Sequence, residues 1–359
     1  MADSFRFQFS LIKRVLQFRF DAGTSRGVLK TREVFWIKVT HPDDQDRVGW
    51  GEAAPLVGLS PDYREDFEEV ISVHLQKLAM ETWETDADSV LNQVDARVPL
   101  ELPSLRFGLE MALLDWIQGG KKRFFSNPFF DEKKPIPING LIWMGDREFM
   151  LEQIDQKLNE GFDCIKMKIG AIDFEQELAL LSYIRKQFSK DQVILRVDAN
   201  GAFSPMEAMN KLRQLAEWDI HSIEQPIRAG QRAEMRKLCR ETPLPIALDE
   251  ELIGTNEKEL LLDTLLPQHI ILKPTLLGGF LETQQWIRLA EERGIGWWMT
   301  SALESNIGLN AISQLASSHD PKIPQGLGTG KLYHNNLASP LEIEKGQIRY
   351  GDRLWENPA

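Results

Sequence analysis

The chain opens on a strict alternation. Phe5, Phe7, Phe9 and Leu11 are separated by Arg6, Gln8 and Ser10, the period of two that a strand with one buried face requires. Strand-like runs follow at 34–40 and 48–53, on either side of the turn-rich HPDDQDR. Residues 1–53 are therefore expected to form an antiparallel meander, with the segment DAGTSRG at 21–27 as a mobile loop. Over residues 60–119 the period becomes helical: Ser60 and Pro61 suit an N-cap and a first helical position, and LRFGLEMALLDWI spaces its apolar residues along one helix.

Beyond KKRFFSNPFFDEKKP, at 121–135, the pattern changes again. Short apolar runs alternate with amphipathic stretches: IPINGLI (136–142), CIKMKI (164–169), VILRVD (193–198), HSIE (221–224), PIALD (245–249), HIILK (269–273), GWWMTS (296–301) and IPQGLG (323–328). Eight strands repeating at a period of about 25 residues predict parallel βα units closed into a barrel. An open doubly wound sheet is the alternative, although no G-x-G-x-x-G follows the first run. The last segment, SPLEIEKGQIRY, predicts a hairpin with a Lys-Gly turn that returns to the N-terminal domain.

What ends each predicted strand carries the chemistry. The second run ends in Lys166-Met167-Lys168, the third in Asp198-Ala199-Asn200, the fourth in Glu224, the fifth in Asp249 and the sixth in Lys273. One charge thus appears in each unit, always at the C-terminal end, and in a barrel these ends converge on one mouth, where barrel active sites lie. Three carboxylates on neighbouring strands would repel one another without a cation among them, and hard oxygen donors suit Mg2+, with Mn2+ as the alternative. Glu250 and Glu251 compete with Asp249 for the third position; alternation favours Asp249 and Glu251, and Asp249 stands nearer the strand end. Lys166 and Lys168, two apart, share a face, and a neighbouring cation is expected to lower a lysine's pKa toward that of a general base. Lys273 would approach from the opposite wall. A base over a metal-held carboxylate suits abstraction of an α-proton with stabilisation of the enediolate.

Taken singly, each strand-end charge reads more simply as a helix cap or a solvated loop residue; the five in succession favour a site. The GLGTG at 326–330 reads as a turn or as a phosphate cradle. His221 and His269 begin strands, away from the mouth, and Cys164 reads as core.

Composition narrows the partners. Across 359 residues, 42% hydrophobic and 27% charged residues exclude a disordered or fibrous chain. A net charge of −12 argues against nucleic acid. Charged residues interrupt the apolar N-terminus and no apolar run reaches membrane-spanning length, so neither export nor a membrane partner is expected. Two cysteines without metal-ligand spacing suit a cytoplasmic protein. A Schiff-base aldolase would need one lysine and no carboxylate trio, and an inert barrel would leave costly buried charges unexplained. The sequence leaves homo-oligomerisation open.

GWGEAAPL, the LEMALLDW helix, KMKIG, RVDANGAF, SIEQP, ALDEEL and LKPTLLGG together resemble the enolase superfamily, in its muconate-lactonizing-enzyme-like branch, over nearly the whole chain. The resemblance implies an α/β fold in which an N-terminal α+β capping domain (1–125, completed by 335–359) covers a (β/α)7β TIM-like barrel (135–330). It implies Mg2+ on Asp198, Glu224 and Asp249, with Lys168 as the base, Lys273 as a cation beside the enediolate and Lys166 supporting the carboxylate. SALESNIGL at 301–309 is similar to a Ser-rich segment of the branch's dehydrating members, with Asn306 in place of the second serine, and the Asp-x-Asp of the dipeptide epimerases is missing. The implied activity is syn dehydration of a small carboxylate, 2-succinyl-6-hydroxy-2,4-cyclohexadiene-1-carboxylate, in menaquinone biosynthesis. N-succinylamino acid racemase or muconate-type cycloisomerase activity is the alternative. Ser301 and the backbone around Leu303 are then candidates for the succinyl carboxylate, and Arg196 and Asn200 for supporting contacts. The 21–27 loop with Arg26, and residues 56–59, are expected to close over the mouth.

Overall fold

The computed structural model describes residues 4–24 and 27–358. Strands Gln8–Thr24, Gly27–His41 and Asp44–Ala53 form the expected antiparallel meander. Asp21–Thr24 extend the first strand instead of looping: Ala22, Gly23 and Thr24 pair with Leu29, Val28 and Gly27. Ser25 and Arg26 lie outside the described residues. Gly23 also bridges Met144 of the barrel.

The two faces of this sheet have different neighbours. Phe35 meets Phe67 of helix Phe67–Leu78 edge to face at 5.2 Å, and Gly49 and Gly51 lie under helix Pro103–Ile117. That approach is possible only without side chains, since a Cβ on Gly51 would stand 1.9 Å from the Gly108 carbonyl oxygen. The opposite face presents Arg32, Trp36 and Glu52 to the barrel. Trp36 donates to Ser305 Oγ at 3.3 Å, and Trp36 and Glu52 are register partners.

Glu52 crosses the junction and accepts from Ser305 N at 2.7 Å and Gly308 N at 3.0 Å, at the start of helix Asn306–Ser318. Glu110 of helix Pro103–Ile117 does the same for helix Phe280–Glu292, accepting from Phe280 N. Unsatisfied N–H groups and the dipole make helix N-termini good seats for carboxylates. The cap is thus pinned to two barrel helices by two buried acids.

The barrel strands are Gly140–Ile142, Cys164–Lys168, Ile194–Asp198, Ser222–Glu224, Ile246–Leu248, His269–Leu272 and Gly296–Met299, all parallel and in sequence order. The predicted eighth strand, 323–328, forms no regular strand. It closes the ring by two parallel bridges, Ile138 with Gln325 and Thr300 with Gly326. Pro324 lacks an N–H and glycines follow, so a continuous ladder is not available there. The predicted first run also divides: Ile136–Pro137 leaves the barrel and pairs with Gln347–Tyr350 of the C-terminal hairpin. The Lys-Gly turn is present, with φ of 48° at Lys345 and 67° at Gly346. The hairpin therefore joins this segment rather than the cap sheet; contact with the cap comes from its flanks, where His334 N donates to Gln17 O at 2.9 Å and Arg14 donates to Pro358 O at 3.3 Å.

Two outcomes are expected from this packing. Gly51→Ala should lower unfolding free energy by about 3 kcal/mol in urea melts, the upper end for overpacking, because backbone rather than a yielding side chain opposes the new methyl. The second concerns pH. Burial, opposed by hydrogen bonds from Ser305, pushes the Glu52 carboxyl from 4.5 up to about 7. Between those values the folded chain keeps a proton the unfolded chain has lost, so Glu52's contribution falls as pH rises through this window, by on the order of 3 kcal/mol. Urea melts from pH 4 to 8 should show this decline in the wild type and a flatter slope in Glu52→Gln.

Candidate active site

The strand-end charges meet at the barrel mouth. Register sets Lys168, Asp198 and Glu224 side by side across three strands. Lys166 Nζ lies 2.9 Å from Asp198 Oδ2 and 2.5 Å from Glu224 Oε2, bridging the two carboxylates. Lys273 bridges the next pair: it contacts Asp249 Oδ2 and lies 3.7 Å from Glu224 Oε1. Lys168 Nζ stands 2.9 Å from Asp198 Oδ2 and donates to Asn200 Oδ1 at 2.7 Å. Asn200, at a φ of 43°, is held in turn by its own N–H to Asp198 Oδ1 and by Nδ2 to Glu250 Oε1. Lys166, Asp198, Glu224, Asp249 and Lys273 are all buried.

Burial and pairing compete in setting the charges. Burial raises the Asp198 carboxyl, but Lys166, Lys168 and Lys273 outweigh it and hold Asp198 well below the usual carboxylate range. Burial and the charge of Asp198 push Glu224 up, to about 7. Burial would lower the Lys166 and Lys273 ammoniums, yet the carboxylates around them win and both are raised. A lowered lysine pKa, expected from adjacent positive charge, is thus not found at these two lysines, because each lies between two acids.

Among the described residues no group of three His, Cys, Asp or Glu side chains is gathered tightly enough to hold an ion. The spaces between the carboxylates are taken by the Lys166 and Lys273 ammoniums. The donors nevertheless suit a hard divalent cation: all are carboxylate oxygens, and Glu224 Oε1 is buried without a hydrogen-bond partner. Asp198, Glu224 and Asp249 therefore fit such an ion by chemistry.

Above the cluster lies a cavity of about 810 Å3. Lys166, Lys168, Asp198, Asn200 and Lys273 line its floor, and Leu56, Val57, Gly58 and Leu59 of the cap line its roof. Ser301 and Leu303 also face it, but their polar groups are already committed. Ser301 Oγ donates to Glu304 Oε2 at 2.5 Å and accepts from Leu303 N at 3.1 Å and Thr329 Oγ1 at 2.9 Å. The Leu303 carbonyl accepts from Tyr333 OH at 2.8 Å. The Leu303 N–H and carbonyl, candidates from sequence for the succinyl carboxylate, are thus both engaged within the protein.

Arg196 is not brought to the cavity. It points inward one layer lower than Asp198, donates to Pro324 O at 2.8 Å and stacks on Trp298 at 4.0 Å, since two residues of rise toward the strand's N-terminus carry it to the barrel floor. His221 and His269 stack nearby at 5.2 Å, as residues beginning strands should. Glu251 turns away to accept from Gly230 N, leaving Asp249 facing the cluster. The GLGTG segment supplies Gly326, Gly328 and Thr329 to the cavity wall and forms a short 3-10 turn, Gly328–Lys331. Arg19, Lys157 and Lys331 line the cavity as well. Sequence reading missed them because each lies away from the strand ends, among ordinary surface charges.

Comparisons with known proteins agree with this geometry. Residues 150–354 match the enolase C-terminal domain-like family, and residues 16–116 match the MenC N-terminal domain. An o-succinylbenzoate synthase from Desulfotalea psychrophila is 47% identical over 93% of this chain and 96% of its own length. The crystal structure of MenC from that organism superposes with a TM-score of 0.83 at 43% identity, covering 96% of this chain and 99% of the other. An N-succinylamino acid racemase from Amycolatopsis is 25% identical over 90% of this chain and 87% of its own length. The L-Ala-D/L-Glu epimerase from Bacillus subtilis shares the fold, with a TM-score of 0.84 at 21% identity over 97% and 96% of the two chains. With both family matches and a near-full-length relative in accord with a capped barrel and its ring of lysines and carboxylates, the chain belongs to the o-succinylbenzoate synthase family of the enolase superfamily.

Proposed function

We propose that the cavity dehydrates 2-succinyl-6-hydroxy-2,4-cyclohexadiene-1-carboxylate to 2-succinylbenzoate, as a lyase step of menaquinone biosynthesis in the cytoplasm. The observation that carries this reading is the placement of Lys168 and Lys273, both lining the cavity floor, around a buried carboxylate trio. The 47% identity to a synthase of this activity supports it, and two buried free cysteines suit a reducing compartment. In this reading residues 1–125 with 335–359 act as the cap and 135–330 as the catalytic barrel.

Lys168, as the neutral amine, takes the proton from the ring carbon that bears the carboxylate. The C–H electron pair moves into the carboxylate to give an enediolate. Collapse of the enediolate expels the neighbouring hydroxyl, which leaves as water with the proton returned by the Lys168 ammonium on the same face. Asn200 and Asp198 hold the Lys168 nitrogen in place, a geometric requirement for general base catalysis. Lys273 supplies positive charge from the other wall as the enediolate forms. Lys166 fixes Asp198 and Glu224 relative to one another. Mg2+ or Mn2+, held by Asp198, Glu224 and Asp249, would neutralise the substrate carboxylate when bound. The cap residues 56–59 exclude water from the mouth.

The test follows the ultraviolet absorbance of the cyclohexadiene acid with purified protein in Mg2+, in excess EDTA, and with Lys168→Ala. Rapid loss of the diene in Mg2+, its arrest by EDTA and at least a 100-fold lower kcat in a folded Lys168→Ala are expected, as for removal of a general base. No turnover by folded protein that Mg2+ stabilises against heat would overturn the reading and favour a racemase.

A further inference from the structure

Arg32 lies on the barrel-facing side of strand Gly27–His41 and is 4% exposed. A guanidinium buried to this degree ordinarily faces a carboxylate. Among the described residues no ion pair involves Arg32. Its hydrogen bonds go instead to four main-chain carbonyls. Nη1 donates to Pro55 O and Nη2 to Ala54 O, at the entry to the cap segment that roofs the cavity. Nη2 also reaches Ala302 O, and Nε reaches Leu303 O, both at 3.4 Å, on the barrel segment that forms the facing wall.

The other hydrogen bonds of each segment stay on its own side of the cavity, and the nearest other link across it, Glu52 to Ser305 N at 2.7 Å, lies two residues beyond each segment. Beyond Pro55 the cap chain turns on itself, with Ser60 N donating to Leu56 O at 2.9 Å and Leu56 N to Ser60 Oγ at 2.6 Å. Across the cavity Leu303 sits at a φ of 67°, a left-handed conformation that costs a branched residue on the order of 1 kcal/mol or more and persists only where its surroundings impose it. Its N–H is held by Ser301 and its carbonyl by Tyr333 and Arg32. Arg32 thus joins residues 54–55 to residues 302–303 directly, and its planar fork meets fixed carbonyls in a way that a lysine's single ammonium does not.

We propose that Arg32 is a positioning residue for substrate capture, locking residues 54–59 of the cap and 302–303 of the barrel into one cavity wall while touching neither substrate nor the reacting atoms. Leu56–Leu59 and Ala302–Leu303 line the cavity without carrying any of the reacting groups, so loosening them should weaken binding more than chemistry. The kinetic part of the test rests on the dehydration reading; the hydrogen-exchange part does not.

Arg32→Lys should raise KM for the cyclohexadiene acid about tenfold or more while kcat stays within about threefold. Arg32→Ala should regain several-fold in kcat/KM with guanidinium at low, non-denaturing concentration and nothing with ammonium. By hydrogen exchange, Arg32→Lys should speed residues 54–59 and 302–305 together by about tenfold or more, leaving helix Pro103–Ile117 at its wild-type rate. Unchanged KM in a folded Arg32→Lys, or exchange that rises equally in helix Pro103–Ile117, would overturn the proposal. If the wild type does not turn over the acid, the dehydration reading fails by itself and the exchange pattern alone decides the role of Arg32.

Discussion

Five buried charges and the half-buried Lys168, gathered at one end of a barrel, can exist only as an interlocked set. Removing each from water costs several kcal/mol even after relaxation, and the chain meets that cost by alternation: Lys166 between Asp198 and Glu224, Lys273 between Glu224 and Asp249, Lys168 against Asp198 and Asn200. No member is dispensable to its neighbours. Sheet register follows from the same constraint, because slipping any one strand by a residue would turn its charge into the hydrophobic layer outside the barrel. The parallel strands, the loops after them and the cap above are arranged around this set.

The cap uses related physics with a different result. Glu52 and Glu110 place their carboxyl oxygens on barrel helix N-termini, and Arg32 directs its donors to carbonyls. The buried polar residues of the cap sheet, Arg32 and Glu52, lie on the face that meets the barrel. The face against the helices buries Phe35 and Ile37, carries the exposed Lys13–Glu33 pair and, at Gly49 and Gly51, is bare. One sheet thus serves as core on one side and as a polar interface on the other.

Much of this was legible in the sequence. Strand-end charges recurring at 198, 224, 249 and 273 marked the mouth because the unit length of a βα repeat fixes where each side chain emerges. Alternation along 5–11 and 34–40 marked the meander, and the Lys-Gly pair marked the hairpin turn. What could not be read depended on contacts distant along the chain. Pairing of Gln347–Tyr350 with Ile136–Pro137 leaves no local trace. Arg196 stands two residues before Asp198 on the same strand face, and depth along the barrel axis, invisible to periodicity, separates a floor residue from a site residue. Ser301 and Leu303 face the cavity as expected, but the bonds that occupy them come from Thr329, Tyr333 and Glu304. Nothing local in the sequence distinguishes Arg32 from the strand's other cations, Lys30 and Lys38.

The manner of closure bears on how the chain is made. The ring is completed by residues 323–328 through two bridges, and a Cβ at Gly326 would press on Thr300 Oγ1 at 2.4 Å, so only this late, side-chain-poor segment fits the gap. Without that segment the seven strands would be an open sheet whose edges, Gly140–Ile142 and Gly296–Met299, carry unpaired N–H and C=O groups. Such edges template pairing with other chains. A chain that has emerged to residue 299 but not to residue 326 would therefore expose two sheet edges that the finished barrel hides.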